Sequence, residues 1–77
     1  MKVDEFIEKL KEILELQDVE LCEETNLRDL EEYDSLAVLS IIAMVDENFG
    51  RKLTGQNFQS ITTVRSLIKL IGDKYFE

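Results

Sequence analysis

The chain has no histidine, no proline and no tryptophan, and only one cysteine, Cys22, in 77 residues. Without histidine it lacks the commonest general base and the commonest metal ligand. A single cysteine cannot make an internal disulfide, a CxxC pair or a cysteine-based zinc site, so no metal is expected. Basic residues are scarce as well: 9 Lys and Arg stand against 17 Asp and Glu, for a net charge of −8. That excess repels phosphate backbones and anionic lipid, which excludes nucleic acid and membrane surfaces as partners and requires a basic patch on any partner that is steered by charge. Hydrophobic runs are short. The longest, Ile41 to Val45, is far below the roughly 20 residues of a membrane span, and the charged start Met1-Lys2-Val3-Asp4-Glu5 is unlike a signal peptide. A soluble, cytoplasmic chain is expected, monomeric and forming one domain over residues 1–77. At this length the radius of gyration is about 11–12 Å, too small for both a substantial core and a deep cleft, which argues against an elaborate enzyme.

Charge and hydropathy are unevenly placed. Thirteen of the 17 acidic residues but only four of the nine basic ones precede Ala37. Between Glu20 and Asp34 seven acids accompany one base, Arg28. A charge run of this kind is ordinarily a solvated surface. Val3, Phe6, Ile7, Leu10, Ile13 and Leu14 recur at steps of three and four, which predicts a first amphipathic helix of three to four turns, ended by Gln17-Asp18. The segment onward to Asp34 has scattered anchors, Val19, Leu21, Leu27 and Leu30, and reads as a long structured loop; Val19-Glu20-Leu21 is too short for a strand. A second helix starts at Asp34 or Ser35, since either side chain can accept from the free N–H groups of a first turn. Gly50 closes it by supplying a left-handed residue. Its apolar residues cover more than one face, as in a central helix or a docking surface. A short helical turn over Gln56 to Ile61 follows. Thr62 or Thr63 caps a last helix with Val64, Leu67, Ile68 and Ile71 on one side, widened by Leu70 and Tyr75 and weakened at Gly72. Three long helices and one short one, joined through a long first loop, predict an all-α four-helix bundle.

Chemistry is sparse in such a chain. No Ser, Thr, Lys or carboxylate sits in a pattern resembling an activated nucleophile with its base, so self-contained catalysis by Ser35 is not expected. Ser35 stands apart only by position, at the start of a helix, at the end of an acidic loop and directly before a core-type leucine. Taken alone it reads as an ordinary N-cap, and Cys22 as a small filler in the loop.

Read together, the surroundings carry a resemblance to the acyl carrier protein family over nearly the full length. Asp34-Ser35-Leu36 opens the second helix, Val38 to Val45 form its apolar body, and Asp46-Glu47-Asn48-Phe49-Gly50 close it. Phe58, Ile61 and Thr63-Val64 are similar to the family's short helix and the start of its last one, and Thr25-Asn26-Leu27 with Leu30 to the anchors of its first loop. The resemblance implies an acyl-carrier-like bundle that is not an enzyme. It implies that a phosphopantetheinyl transferase attaches 4′-phosphopantetheine from coenzyme A to the Ser35 hydroxyl, and that the arm's thiol then carries acyl groups as thioesters. Mg²⁺ and the transfer machinery belong to the transferase. It further implies that Leu36 is both core anchor and first partner contact, that Asp46 and Glu47 form an acidic docking pair for basic patches on acyl-loading, condensing and other acyl-processing enzymes, and that Leu39, Ile42, Val45, Ile61 and Ile68 line an interior able to admit an acyl chain.

The chain departs from the family where Glu32, Ala37 and Ser40 stand in place of the frequent glycine before the serine and the two acids after it. We therefore expect partner steering to shift towards Glu23, Glu24, Asp29, Glu31 and Glu32, and a specialised pathway, polyketide or other, to be favoured over housekeeping fatty-acid synthesis. The alternatives are a peptidyl or aminoacyl carrier of the same fold, and an unmodified acidic adaptor that docks through its second helix.

Overall fold

A computed structural model of the chain describes residues 1–17 and 19–77. Asp18, which the sequence pairs with Gln17 as the end of the first helix's pattern, lies outside them. Three α-helices, α1 (Val3–Leu14), α2 (Ser35–Phe49) and α3 (Val64–Ile71), carry the core, with short 3₁₀ segments at Leu27–Asp29, Gly55–Ser60 and Asp73–Tyr75. The expected all-α bundle is what forms, with a radius of gyration of 11.3 Å.

Each helix ends where a local hydrogen bond can replace the helical ladder. In α1 the stripe Phe6, Leu10 and Leu14 is buried, and Asp4 and Glu5 occupy the first turn, where carboxylates favour the positive helix end. It closes on Glu15 at φ 57°, with the Leu16 N–H donating to Lys11 O at 3.0 Å and Leu16 itself buried. Gly50 closes α2 at φ 67°, donating to Asp46 O, as expected of a glycine there. Of the two threonines considered for α3, Thr63 is the cap: its Oγ1 accepts from Ser66 N at 3.1 Å. After Gly72 the chain does not fray but turns back, so that Phe76 packs on Phe6 with ring centroids 5.2 Å apart. Phe49 joins the same cluster at 6.2 Å from Phe6, and the Met1 ammonium donates to Tyr75 O at 2.9 Å. An aromatic plug and both chain ends therefore sit at the C-terminal end of α2. Ser35 opens the other end of this 15-residue helix, roughly 20 Å away at 1.5 Å per residue.

The long loop is tied down by contacts that periodicity cannot reveal. Leu27 N donates to Thr62 O, Val64 N to Thr25 O and Arg65 N to Glu23 O, which zips the loop to the start of α3 through an antiparallel bridge between Asn26 and Thr63. Leu21 and Leu27 are buried anchors, whereas Val19 is 41% exposed and anchors nothing. Cys22 is exposed too, its Sγ 3.3 Å from Thr25 Oγ1, and so is not a core filler.

Arg28 holds the loop to the 3₁₀ segment Gly55–Ser60. Its Nε donates to Ile61 O at 2.7 Å, and its Nη2 to Gln59 O at 2.6 Å and Phe58 O at 3.2 Å. Hydrogen bonds from a charged donor are among the stronger polar contacts, and a planar fork makes them together. Arg28→Ala is expected to cost about 2 kcal/mol, a fall of roughly 10 °C in melting temperature for a domain of this size. Arg28→Lys should recover less than half of that in a thermal melt, because an ammonium cannot reproduce the fork.

Candidate functional site

The start of α2 is built by the residue before it. Asp34 takes an extended conformation and its Oδ1 accepts from Ala37 N at 2.9 Å, which makes Asp34 the N-cap. Ser35 is thereby displaced to the first helical position and is not the cap. Its side chain is exposed and its Oγ has no hydrogen-bond partner among the described residues. The backbone N–H groups of Ser35 and Leu36 are likewise without acceptors among those residues, as the first N–H groups of a helix are. An available hydroxyl thus stands beside unpaired donors at the positive end of a helix, an arrangement suited to a phosphodiester.

The two faces of α2 divide its apolar residues. Ala37, Ile41, Met44 and Val45 are buried against the bundle, while Leu36 is 72% and Leu39 61% exposed. Leu36 therefore does not anchor the core, and Leu39 does not line the interior. A helical step of 100° per residue carries positions 36, 39 and 43 to one face, and all three are exposed. Val45, Ile61 and Ile68 are buried as expected, and Ile42 is half-buried. All four belong to the packed core or its edge.

The open space next to Ser35 has different walls. A groove of about 440 Å³ runs from Ser35 past Tyr33, Val38 and Leu39 to Phe58 and Arg28. Of the residues the sequence singled out for a pocket, only Leu39 borders it, from the outside of the bundle. Tyr33, Val38, Phe58 and Arg28 were missed as site residues. Proximity of Tyr33 and Val38 to the serine in sequence was the available signal, and Arg28 and Phe58, seven and 23 residues from it, offered none. Burial pushes the Tyr33 phenol above its ordinary pKa, with Arg28 opposing the shift, so it stays a protonated donor at neutral pH.

The acidic residues do not form one patch. Glu31 and Glu32 are exposed in the loop before Ser35, and Glu32, Asp34 and Glu15 surround a depression of about 360 Å³ floored by Ile13, Leu36 and Ala37. Asp46 lies 3.7 Å from Lys52, whereas Glu47 faces a depression shared with Lys9 and Glu12 of α1. Consecutive on a helix, Asp46 and Glu47 diverge rather than act as a pair. Glu23 and Glu24 are engaged by Arg65 at 3.6 and 2.8 Å, with the Glu24 carboxyl held below its usual range by a backbone hydrogen bond, then by Cys22 and Arg65. They brace α3, and the steering surface expected of five acids is divided between that brace and the Ser35 end. No group of acids among the described residues is arranged to hold a metal ion, and no helix among them is long and apolar enough to cross a membrane.

No curated protein and no solved structure matches this chain. The family model of the phosphopantetheine attachment site matches residues 4–71, from the first turn of α1 to the last residue of α3. The chain therefore belongs to the phosphopantetheine attachment-site family, and is a carrier domain for covalently bound 4′-phosphopantetheine.

Proposed function

We propose that Ser35 Oγ bears the phosphopantetheine and that the protein is an acyl carrier, a substrate of a phosphopantetheinyl transferase and not itself an enzyme. The observation that carries this is the exposed, unpartnered hydroxyl at the first position of α2, freed because Asp34 does the capping. In the transfer, Ser35 Oγ bonds to the phosphorus on the pantetheine side of coenzyme A, the pyrophosphate P–O bond breaks, 3′,5′-ADP departs and the hydroxyl proton passes to the transferase. The N–H groups of Ser35 and Leu36 would hold the diester, and Asp34 keeps the helix end in place. The arm, once bound, supplies a terminal thiol that carries acyl groups as thioesters. The groove favours acyl over aminoacyl cargo: Val38, Leu39 and Phe58 offer apolar walls, and the Arg28 guanidinium at its rim repels an α-ammonium group. Intact-mass measurement after incubation with coenzyme A, Mg²⁺ and a promiscuous transferase tests the attachment. Parallel loading with acyl and aminoacyl donors tests the cargo.

Leu36 and Leu39 are the partner contacts in this reading, with Glu31 and Glu32 before Ser35, and Asp46 and Glu47 farther along α2, to meet basic patches on the transferase and on acyl-loading and condensing enzymes of a fatty-acid, polyketide or other pathway. Both leucines are already in water, so replacing them removes little from the fold. The double variant Leu36→Gln/Leu39→Gln is expected to melt within a few degrees of wild type, while kcat/KM for modification falls about tenfold or more, the loss of one well-buried leucine contact. A large drop in melting temperature with unchanged kinetics would place these leucines in the core instead.

A further inference from the structure

A furrow runs along the side of α2 that faces away from the Ser35 groove. The depression floored by Ile13, Leu36 and Ala37 and a second of about 310 Å³ bordered by Ala43 and Met44 share Ile13 and Ser40, and so adjoin between α1 and α2. Together they extend from Asp34 to Asn48, roughly 20 Å at 1.5 Å per residue. At 100° per residue, positions 37, 40 and 44 centre on the side of α2 opposite positions 35, 38 and 39, which border the Ser35 groove. The α2 wall is made of small side chains at steps of three, Ala37, Ser40 and Ala43, which let another helix approach closely. Two of these, with Glu32, are the positions at which the chain departs from its family, and all three departures line this furrow. An acid at 37 or 40 would stand in the floor, whereas the small residues leave it open and apolar. The charge lies instead on the rim, where Glu12, Glu15, Glu32, Asp34 and Glu47 face one base, Lys9. Glu12, Glu15, Glu32 and Glu47 are exposed and make no ion pair among the described residues, while Glu23, Glu24, Asp46 and Asp73 are each paired with Lys or Arg.

We propose that the furrow between α1 and α2 is a docking site for an amphipathic helix of a partner protein, one with an apolar stripe flanked on both sides by Lys or Arg. Its stripe lies on Ile13, Ala37, Ser40 and Ala43, and its bases meet Glu12 and Glu15 on the α1 side and Glu32 and Glu47 on the other. Unneutralised charge along both walls of an apolar floor is the complement of such a helix. A second copy of this chain, with a net charge of −8, is repelled from the same rim. The site is separate from the attachment of the arm, because α1 supplies half of it and Ser35 none.

The probe is a synthetic helical peptide of about 15 residues, the length of the furrow, with leucines along one face, lysines on both flanks and alanines elsewhere. It is titrated into the isotopically labelled, unmodified chain and followed by backbone chemical shifts. The expected result is saturable one-to-one binding, with the largest shifts at Ile13, Ala37, Ser40, Ala43 and Met44 and none of that size at Phe58 or Gln59. Glu12→Lys/Glu15→Lys should weaken binding about tenfold or more, whereas Glu20→Lys/Glu77→Lys, the same change in net charge away from the furrow, should weaken it less than about threefold. Ser40→Phe/Ala43→Phe fills the wall at two exposed positions without altering charge, and should also weaken binding about tenfold. If that variant fails to fold by circular dichroism, the two charge variants decide alone. The proposal is overturned if both charge variants weaken binding equally, which would mean attraction to net charge only, if the filled wall binds as well as wild type, or if the shifts fall around Leu39 and Phe58. A chain that sediments as a dimer, and as a monomer once Ser40→Phe/Ala43→Phe is introduced, gives this face to a second copy and overturns it as well. Ser35→Ala should bind the peptide as wild type does, so loss of the attachment reading leaves this inference standing, and failure of the peptide leaves the attachment standing.

Discussion

Ser35→Ala is expected to stay at its unmodified mass under conditions that convert wild type fully to the holo form, while remaining as stable as wild type in a thermal melt. The two halves of this result come from the same geometry. The Ser35 hydroxyl has no partner among the described residues, so its removal breaks no contact there, and alanine is at least as good a helix former in the first turn. Modification, by contrast, requires the oxygen itself. Asp34→Ala should behave in the opposite way. Losing the Oδ1 bond to Ala37 N costs about 1 kcal/mol, or roughly 4–8 °C, but the hydroxyl remains and the mass shift still occurs, more slowly as the helix end loosens. A full mass shift in Ser35→Ala would move the arm to another residue. A Ser35→Ala variant that melts like Asp34→Ala would return Ser35 to the role of cap.

Phe6→Ala is expected to be the most damaging single substitution at the far end of the bundle. Phe6 is fully buried and meets Phe49 of α2 and Phe76 of the C-terminal segment in edge-to-face contacts. Truncating such a ring costs about 3–5 kcal/mol, against a total stability on the order of 4–12 kcal/mol for a chain this size. The melting temperature should fall by at least 12 °C or so, and a substantial fraction of molecules should be unfolded at 37 °C by circular dichroism. Phe6→Leu, which keeps most of the volume, should lose about a third as much. Because the plug is roughly 20 Å from Ser35, the folded fraction of Phe6→Ala at low temperature should still be modified at a rate close to wild type. A melting temperature unchanged by Phe6→Ala would mean that the aromatic cluster is not the closure of the bundle.

Much of the site's local frame is legible in the amino-acid order. The spacing of Phe6, Leu10 and Leu14 places α1, Gly50 and the Thr62-Thr63 pair mark helix ends, and Asp34-Ser35-Leu36 marks the start of α2. These signals work because helix periodicity and capping depend on residues within four positions of one another. Which of Asp34 and Ser35 caps α2 was not decided at that level, since both side chains can accept the same bond; the extended conformation of Asp34 settled it and released the serine. The long loop was harder still. Val19 and Leu21 look equivalent as isolated apolar residues, but only Leu21 is buried.

Composition, charge and the helical periods were enough to define an acidic, all-α bundle, and the resemblance carried by the motif around Ser35 implied a phosphopantetheine carrier. Folding alone decided that Leu36 and Leu39 turn to solvent while Ile41 and Val45 turn inward, because α2 is apolar all round and only the positions of its neighbours choose the buried face. Folding also brought Arg28, Tyr33 and Phe58 into one groove beside Ser35. Arg28 and Tyr33 belong to the first loop and Phe58 to a distant segment with no common period, and the Arg28 fork joins the two segments by gripping the carbonyls of Phe58, Gln59 and Ile61.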